Sequence, residues 1–317
     1  MRFSVETWAP DYGGPVDAAA LGDTEAQVDL TAERDPADWA PVRPSAPPAA
    51  RVLFVDGVQR IDARIWIEDD DGTAHTGVCA SWAAGVVRCD GRAEVVAAEV
   101  RRGLLTTAPG VDAIDTRHGC YHPHPLPEPA GGDPVGQALG RARGDLEAKV
   151  AVAAGGAHDL LVVDGPLGDR RHVAGAVGYI KTHHVSYLPP ALHPVVAHLG
   201  AGERTPLFRV GGHRYRWSWY LRLPGPATHA WWGVVRCEAP GDLALVEAVA
   251  RADVVAATLP RFASQPHNDP RAPQNLHPIA GLERELKRRL GDAALLERAL
   301  RAAAGQLPGR GTASTTL

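Results

Sequence analysis

Twice along this chain an apolar run goes straight into Asp-Gly, in RVLFVDGVQR at 51–60 and in LLVVDGPLGD at 160–169. A short, unbroken apolar run closed by a turn signal is the pattern of a strand buried on both faces. Such strands need neighbours in a sheet and cover on both sides. The rest of the chain supplies both, because strand-like and helix-like stretches alternate in mixed order, the signature of an α/β layered domain. The repeated ending also bears on chemistry. A strand end is rigid and aims its last side chain, and a following glycine lets the backbone turn sharply and lets a ligand approach. Asp-Gly also makes ordinary turns, so either stretch alone carries little.

The coarse pattern around these anchors is as follows. Residues 51–56 form a buried strand. Ile61, Ala63, Ile65 and Ile67 alternate along 60–69, which predicts a second strand, and 77–89 a third; short connections predict antiparallel neighbours. The stretch 93–105 is predicted helical, and 109–132 a Gly/Pro/His-rich loop. Asp133-Pro134 reads as an N-cap followed by proline at the first helical position, opening a helix to about Ala154. Leu139, Leu146 and Val150 form its apolar stripe, and Glu147 sits one position off it. Strands are predicted at 159–164, 172–181, 214–223 and 229–238, a short helix in PPALHPVVAHLG, and helices over 242–258 and 278–304. The organisation expected is an irregular N-terminal segment (1–50), a domain over 51–304 and a disordered tail (305–317).

No apolar run approaches the roughly 20 residues a membrane span needs, and the N-terminus lacks a signal-peptide core, so a cytoplasmic protein is expected. The four cysteines (Cys79, Cys89, Cys120, Cys237) show no C-x-x-C pairing and are expected reduced and mostly buried. HGCYHPHP (118–125) holds metal-ligand residue types without a second cluster to complete four ligands.

Charge is unevenly spread. From Arg170 to Cys237 nine basic residues (Arg170, Arg171, Lys181, Arg204, Arg209, Arg214, Arg216, Arg222, Arg236) face Glu203 alone, although the whole chain carries a net −4. Such polarity can focus a polyanion on one face. In RYRWSWYLRL, alternation puts Arg214, Arg216, Ser218, Tyr220 and Arg222 on one side, suited to phosphate, and Tyr215, Trp217 and Trp219 on the other, suited to a core or to base stacking.

Two strand-end aspartates on neighbouring strands would place two carboxylates at one rim. Oxygen donors of this kind suit hard divalent cations such as Mg²⁺ or Mn²⁺, and such ions activate water for phosphodiester hydrolysis. Glu147 is either a third carboxylate at that rim or a solvated helix-surface residue. Lys181 is either a point charge for a phosphate or half of a surface ion pair.

The order FVDGVQR, a helix bearing Leu146-Glu147, LLVVDGPLGD, and then VGYIKTHH (177–184) resembles the NurA nuclease domain over roughly 50–280. The resemblance implies an RNase H-like core and a Mn²⁺-dependent deoxyribonuclease with 5′-to-3′ exonuclease and single-strand endonuclease activity. It implies a homodimer that works with a HerA-type hexameric ATPase. By motif, Asp56, Glu147 and Asp164 match the metal-binding acids and Tyr220 an active-site tyrosine. The late histidine corresponds to the stretch APQNLHPIAGLE, where His277 and Asn275 are both candidates. Two other readings stand beside it. One is a non-catalytic subunit that binds DNA ends or docks on an ATPase. The other is a hydrolase using Asp56 and Asp164 as a carboxylate pair without metal.

Overall fold

The apolar run at 51–56 does not stop at its aspartate. In the computed structural model, which describes residues 22–23, 26–68, 71–126, 133–154, 160–211, 215–225 and 229–306, it continues as one strand to Glu68. The strands are β1 (Gly22–Asp23), β2 (Gln27–Asp29), β3 (Val52–Glu68), β4 (Ala74–Asp90), β5 (Arg92–Thr106), β6 (Ile114–Thr116), β7 (Gly119–Pro125), β8 (Leu160–Asp164), β9 (Ala176–Ile180), β10 (Val185–Ser186), β11 (Phe208–Gly211), β12 (Arg216–Arg222) and β13 (Val234–Pro240). The helices are α1 (Pro134–Ala154), α2 (His193–Ala197), α3 (Leu245–Thr258), α4 (His277–Arg289) and α5 (Ala293–Gln306). They flank a large mixed sheet in the order β2-β11-β12-β13-β9-β8-β3-β4-β5-β7-β6. The α/β mixed sheet expected from the sequence is therefore what the chain builds.

Three local expectations change. The predicted strands at 51–56 and 60–69 are one, because Gly57 stays in the ladder instead of turning. The 93–105 stretch is strand β5, not helix. A one-residue connection at Gly91, whose φ is +70°, sends the chain back along β4, and pairing there outweighs the modest helix preference of its Ala, Glu and Arg residues. Within the loop predicted over 109–132, GCYHPHP forms β7, paired with β5 and β6.

The chain divides into two units. The first comprises Met1–Asp56, Val86–Ala97 and Ala151–Leu282. Its parallel strands β3, β8 and β9 pass into antiparallel β13, β12 and β11. Phe208, Val210, Tyr220 and Val234 pack there with Leu188, Leu192, Val196, Leu199 and Trp39. The described part of the N-terminal segment belongs to this unit. The buried Arg204 guanidinium binds Glu33 at 2.9 Å and Asp253 at 2.8 Å, and Ser45 donates to the same Asp253.

The second unit comprises Gly57–Gly85, Ala98–Val150 and Glu283–Leu317. Cys79, Leu104, Tyr121 and Leu300 form a core with Ala63, Ile65 and Ile67. The alternation slips at one place: Ile61 is exposed and Asp62 buried, where it accepts hydrogen bonds from Arg60, Ser81 and Tyr121. Helix α1 spans the expected residues, with Asp133 capping the Gly136 amide at 2.9 Å and Leu139, Leu146 and Val150 buried. All four cysteines are free thiols, and Cys79, Cys89 and Cys237 are buried. No described helix is long and apolar enough to cross a membrane. The tail beyond Gln306 lies outside the described residues.

Candidate active site

Strands β3 and β8 run parallel with Val52 opposite Leu160 and Val55 opposite Val163. The next residue on each is an aspartate, Asp56 and Asp164. Residues in register on adjacent parallel strands share a face, and the strands lie about 4.8 Å apart. Both carboxylates therefore leave the same side of the sheet. Asp164 ends β8, and the carboxyl ends of parallel strands are where α/β sheets bind ligands.

The glycine after Asp164 makes a true turn. Gly165 has φ of +103° and exchanges backbone hydrogen bonds with Tyr179 on β9, at 2.8 and 3.0 Å. The loop then passes over Gly178. A Cβ there would lie 2.7 Å from the Leu167 amide nitrogen and 3.1 Å from the Gly165 carbonyl oxygen. This is the physical content of G-x-x-K in VGYIK. Gly178 makes room for the loop behind Asp164, and Lys181, three residues on, reaches back to Asp164 itself. Its Nζ lies 2.6 Å from Asp164 Oδ2, with both side chains 15% exposed. Asp164 Oδ1 is buried with no hydrogen-bond partner.

A second anchor comes from the segment before α4. Lys181 Nζ also donates to Asn275 Oδ1 at 3.2 Å, and Asn275 Nδ2 donates to Asp269 Oδ2 at 2.6 Å. Tyr179 donates its hydroxyl to the Gln274 carbonyl at 2.7 Å. Burial, and then the nearby Cys237 and Asp164, holds that phenol well above its ordinary range, so it stays a donor. Of the two late candidates, the structure thus brings Asn275 to Asp164 and Lys181. His277 is exposed and lines a separate cavity of about 490 Å³ with Phe262, Arg261, Cys89 and Leu282. Asp269 was not singled out in the sequence. It sits in the Pro- and Asn-rich stretch PHNDPRAPQN at 266–275.

Glu147, in the second unit, is 2% exposed and so is not a solvated helix residue. Its Oε1 lies 3.2 Å from Arg143 Nε. It packs on Gly57, where a Cβ would come within 2.5 Å of Glu147 Oε1 and 2.9 Å of Arg143 Cγ. The glycine of the first Asp-Gly therefore admits a helix.

Tyr220 is 1% exposed. Its ring neighbours are His183 at 5.6 Å, Trp231 at 5.5 Å and Phe208 at 5.9 Å, and burial pushes its phenol up to about 12. It is part of the core of the first unit.

The basic span is largely consumed inside the fold, which corrects the expectation of a phosphate-facing strand. Arg222 is buried, and its guanidinium donates to the carbonyls of Val196 (3.1 Å), Ala230 (2.6 Å) and Trp232. Arg216 and Arg236 flank the buried Glu238 at 2.7 and 2.5 Å. Glu238 also accepts from the Leu167 amide at 3.1 Å, so it supports the loop behind Asp164. That acid stands one residue past the span's end. Arg209 lies over the Trp217 ring, and Arg170 donates to the Pro166 carbonyl at 2.7 Å. Arg171 is partly exposed in the 3-10 turn Gly168–His172, and Arg214 lies outside the described residues. His183 is buried, and burial draws its pKa down to about 4, so it adds no charge near neutrality.

Among the described residues, no three His, Cys, Asp or Glu side chains are gathered into a ready cation cage. The features that fit a hard cation are the all-oxygen donor types, the shared face of Asp56 and Asp164, and the unpartnered Asp164 Oδ1. No protein-family model matches this chain, and no curated protein matches it either.

Proposed function

We propose that this protein is a metal-dependent deoxyribonuclease of the NurA kind, hydrolysing phosphodiesters at DNA ends and in single strands. The observation that carries the reading is the register of β3 and β8, which puts Asp56 and Asp164 on one face just past the β3–β8 parallel pairing, with an unpartnered oxygen on Asp164. In this reading Asp56 and Asp164 would hold Mn²⁺ (or Mg²⁺). A bound divalent ion supplies an activated water and offsets charge on the phosphoryl oxygens. The protein's own groups do the rest. Lys181, held beside Asp164, faces the scissile phosphate and neutralises charge that develops there. Tyr179 and Asn275 hold the adjoining loop. Arg170 and Arg171, just past Asp164, meet flanking phosphates. A homodimer served by a HerA-type ATPase belongs to the same reading.

A fluorogenic single-stranded DNA assay tests it. Cleavage is expected with Mn²⁺ and none in EDTA. Activity that survives EDTA favours the metal-free carboxylate pair instead. DNA binding without cleavage in any divalent ion favours the non-catalytic subunit, a reading that the Lys181–Asp164 ion pair also supports, since it occupies one carboxylate oxygen.

A further inference from the structure

We propose that Asp269 and Asn275 are positioning residues that fix the Lys181 ammonium against Asp164. The mechanistic use of that ammonium rests on the nuclease reading; the positioning itself does not. A free asparagine amide can present either end. Here Asp269, an acceptor only, takes the Nδ2 end at 2.6 Å, so Oδ1 must face Lys181. Asp269 is itself fixed, because its Oδ1 accepts from the Arg271 amide at 2.7 Å. The Tyr179–Gln274 bond clamps the same loop to β9 two residues before Lys181. Asn275 is fully buried and Asp269 is 7% exposed. The result is a fixed series in which Asn275 donates to Asp269 and Lys181 donates both to Asn275 and to Asp164.

The consequence for Lys181 is specific. With Asp164 alone, the ammonium would follow that carboxylate wherever it turns. With Asn275 it has a second oxygen on the far side, so it keeps its place when Asp164 takes up a cation. Asn275 and Asp269 then act on turnover through Lys181, without touching substrate.

The test uses the small lysine inventory. The chain has three lysines, Lys149, Lys181 and Lys287. Lys149 is 60% exposed and Lys287 62% exposed, so their ammonium protons exchange rapidly with water. In full-length protein labelled with ¹⁵N-lysine, one slowly exchanging ammonium resonance is expected, absent in Lys181→Met. Asn275→Ala should lose it while thermal unfolding stays cooperative. Asn275→Asp sets two carboxylates together and should also lose it. The exchange Asn275→Asp with Asp269→Asn reverses donor and acceptor and should restore it. In the Mn²⁺ DNA assay, kcat of Asn275→Ala should fall about ten-fold with KM within about two-fold, and the exchange should recover most of it. Should Asn275→Ala not fold, Asp269→Asn alone serves, with a weakened resonance expected. An unchanged Lys181 resonance in these variants, or an exchange that rescues nothing, overturns the proposal. If wild type cuts no DNA while the resonance follows this pattern, the positioning stands and the nuclease reading falls.

Discussion

The two Asp-Gly pairs read alike in the sequence and do different work. At Asp164-Gly165 the strand ends. Gly165 takes a left-handed φ, the loop folds back over Gly178, and Lys181 returns to the aspartate. At Asp56-Gly57 the strand runs on for eleven residues past Gly57, to Glu68, and the glycine gives its missing Cβ to Glu147 of a helix. One glycine is needed for its backbone, the other for its space. The same dipeptide is thus kept at a strand end and in mid-strand for reasons that a turn propensity does not contain. What the two share is the aspartate, placed at one register on one face.

This difference can be broken from either side. The largest effect is expected at Gly178→Val, which drives a branched side chain into the Leu167 and Gly165 backbone and costs about 3 kcal/mol. Urea unfolding measures it, and a loss well below 1 kcal/mol would mean the loop does not lie where described. Next, the Asp164 side is tied to a titrating anchor, since β9 leads through Lys181 to the buried His183. Its pKa is depressed from 6.5 to about 4. The native side chain is neutral, and the unfolded chain takes the proton. Stability is therefore whole above about pH 6.5 and falls as pH drops toward 4, by about 3 kcal/mol in full. His183→Gln should flatten that part of the pH curve, and hydrogen exchange should loosen first around 176–186. Gly57→Ala, which crowds a carboxylate with some freedom to move, should cost about 2 kcal/mol and be partly relieved in the double variant with Glu147→Ala. Additive losses in that cycle would separate the two residues. The smallest effect belongs to Gly165→Ala, strained by its positive φ yet meeting nothing in space, at about 1 kcal/mol.

Local signals carried much of this architecture. The run LLVVD became β8, and Asp133-Pro134 opened α1, because cap chemistry and an unbroken apolar run act within a few residues. The aspartates of the two Asp-Gly pairs and Glu147 could be picked out for the same reason. Other elements depended on partners far along the chain. β5 is a strand because β4 lies beside it, which its own Ala, Glu and Arg content does not announce. Asn275 meets Lys181 across 94 positions of sequence, and no local pattern in APQNLHP records that. The basic span misled most. Counting charges from Arg170 to Cys237 stops one residue before Glu238, which binds two of its arginines, and it cannot see Arg204 and Arg222 turned inward to carboxylates and carbonyls.

The claim on which the account turns is that Asp56 and Asp164 act together. Cleavage of an end-labelled single-stranded DNA in Mn²⁺ should fall by roughly 10²-fold or more in Asp56→Asn and in Asp164→Asn alike, with each variant folded and still binding DNA. Full turnover in both variants, or none in wild type, would contradict it.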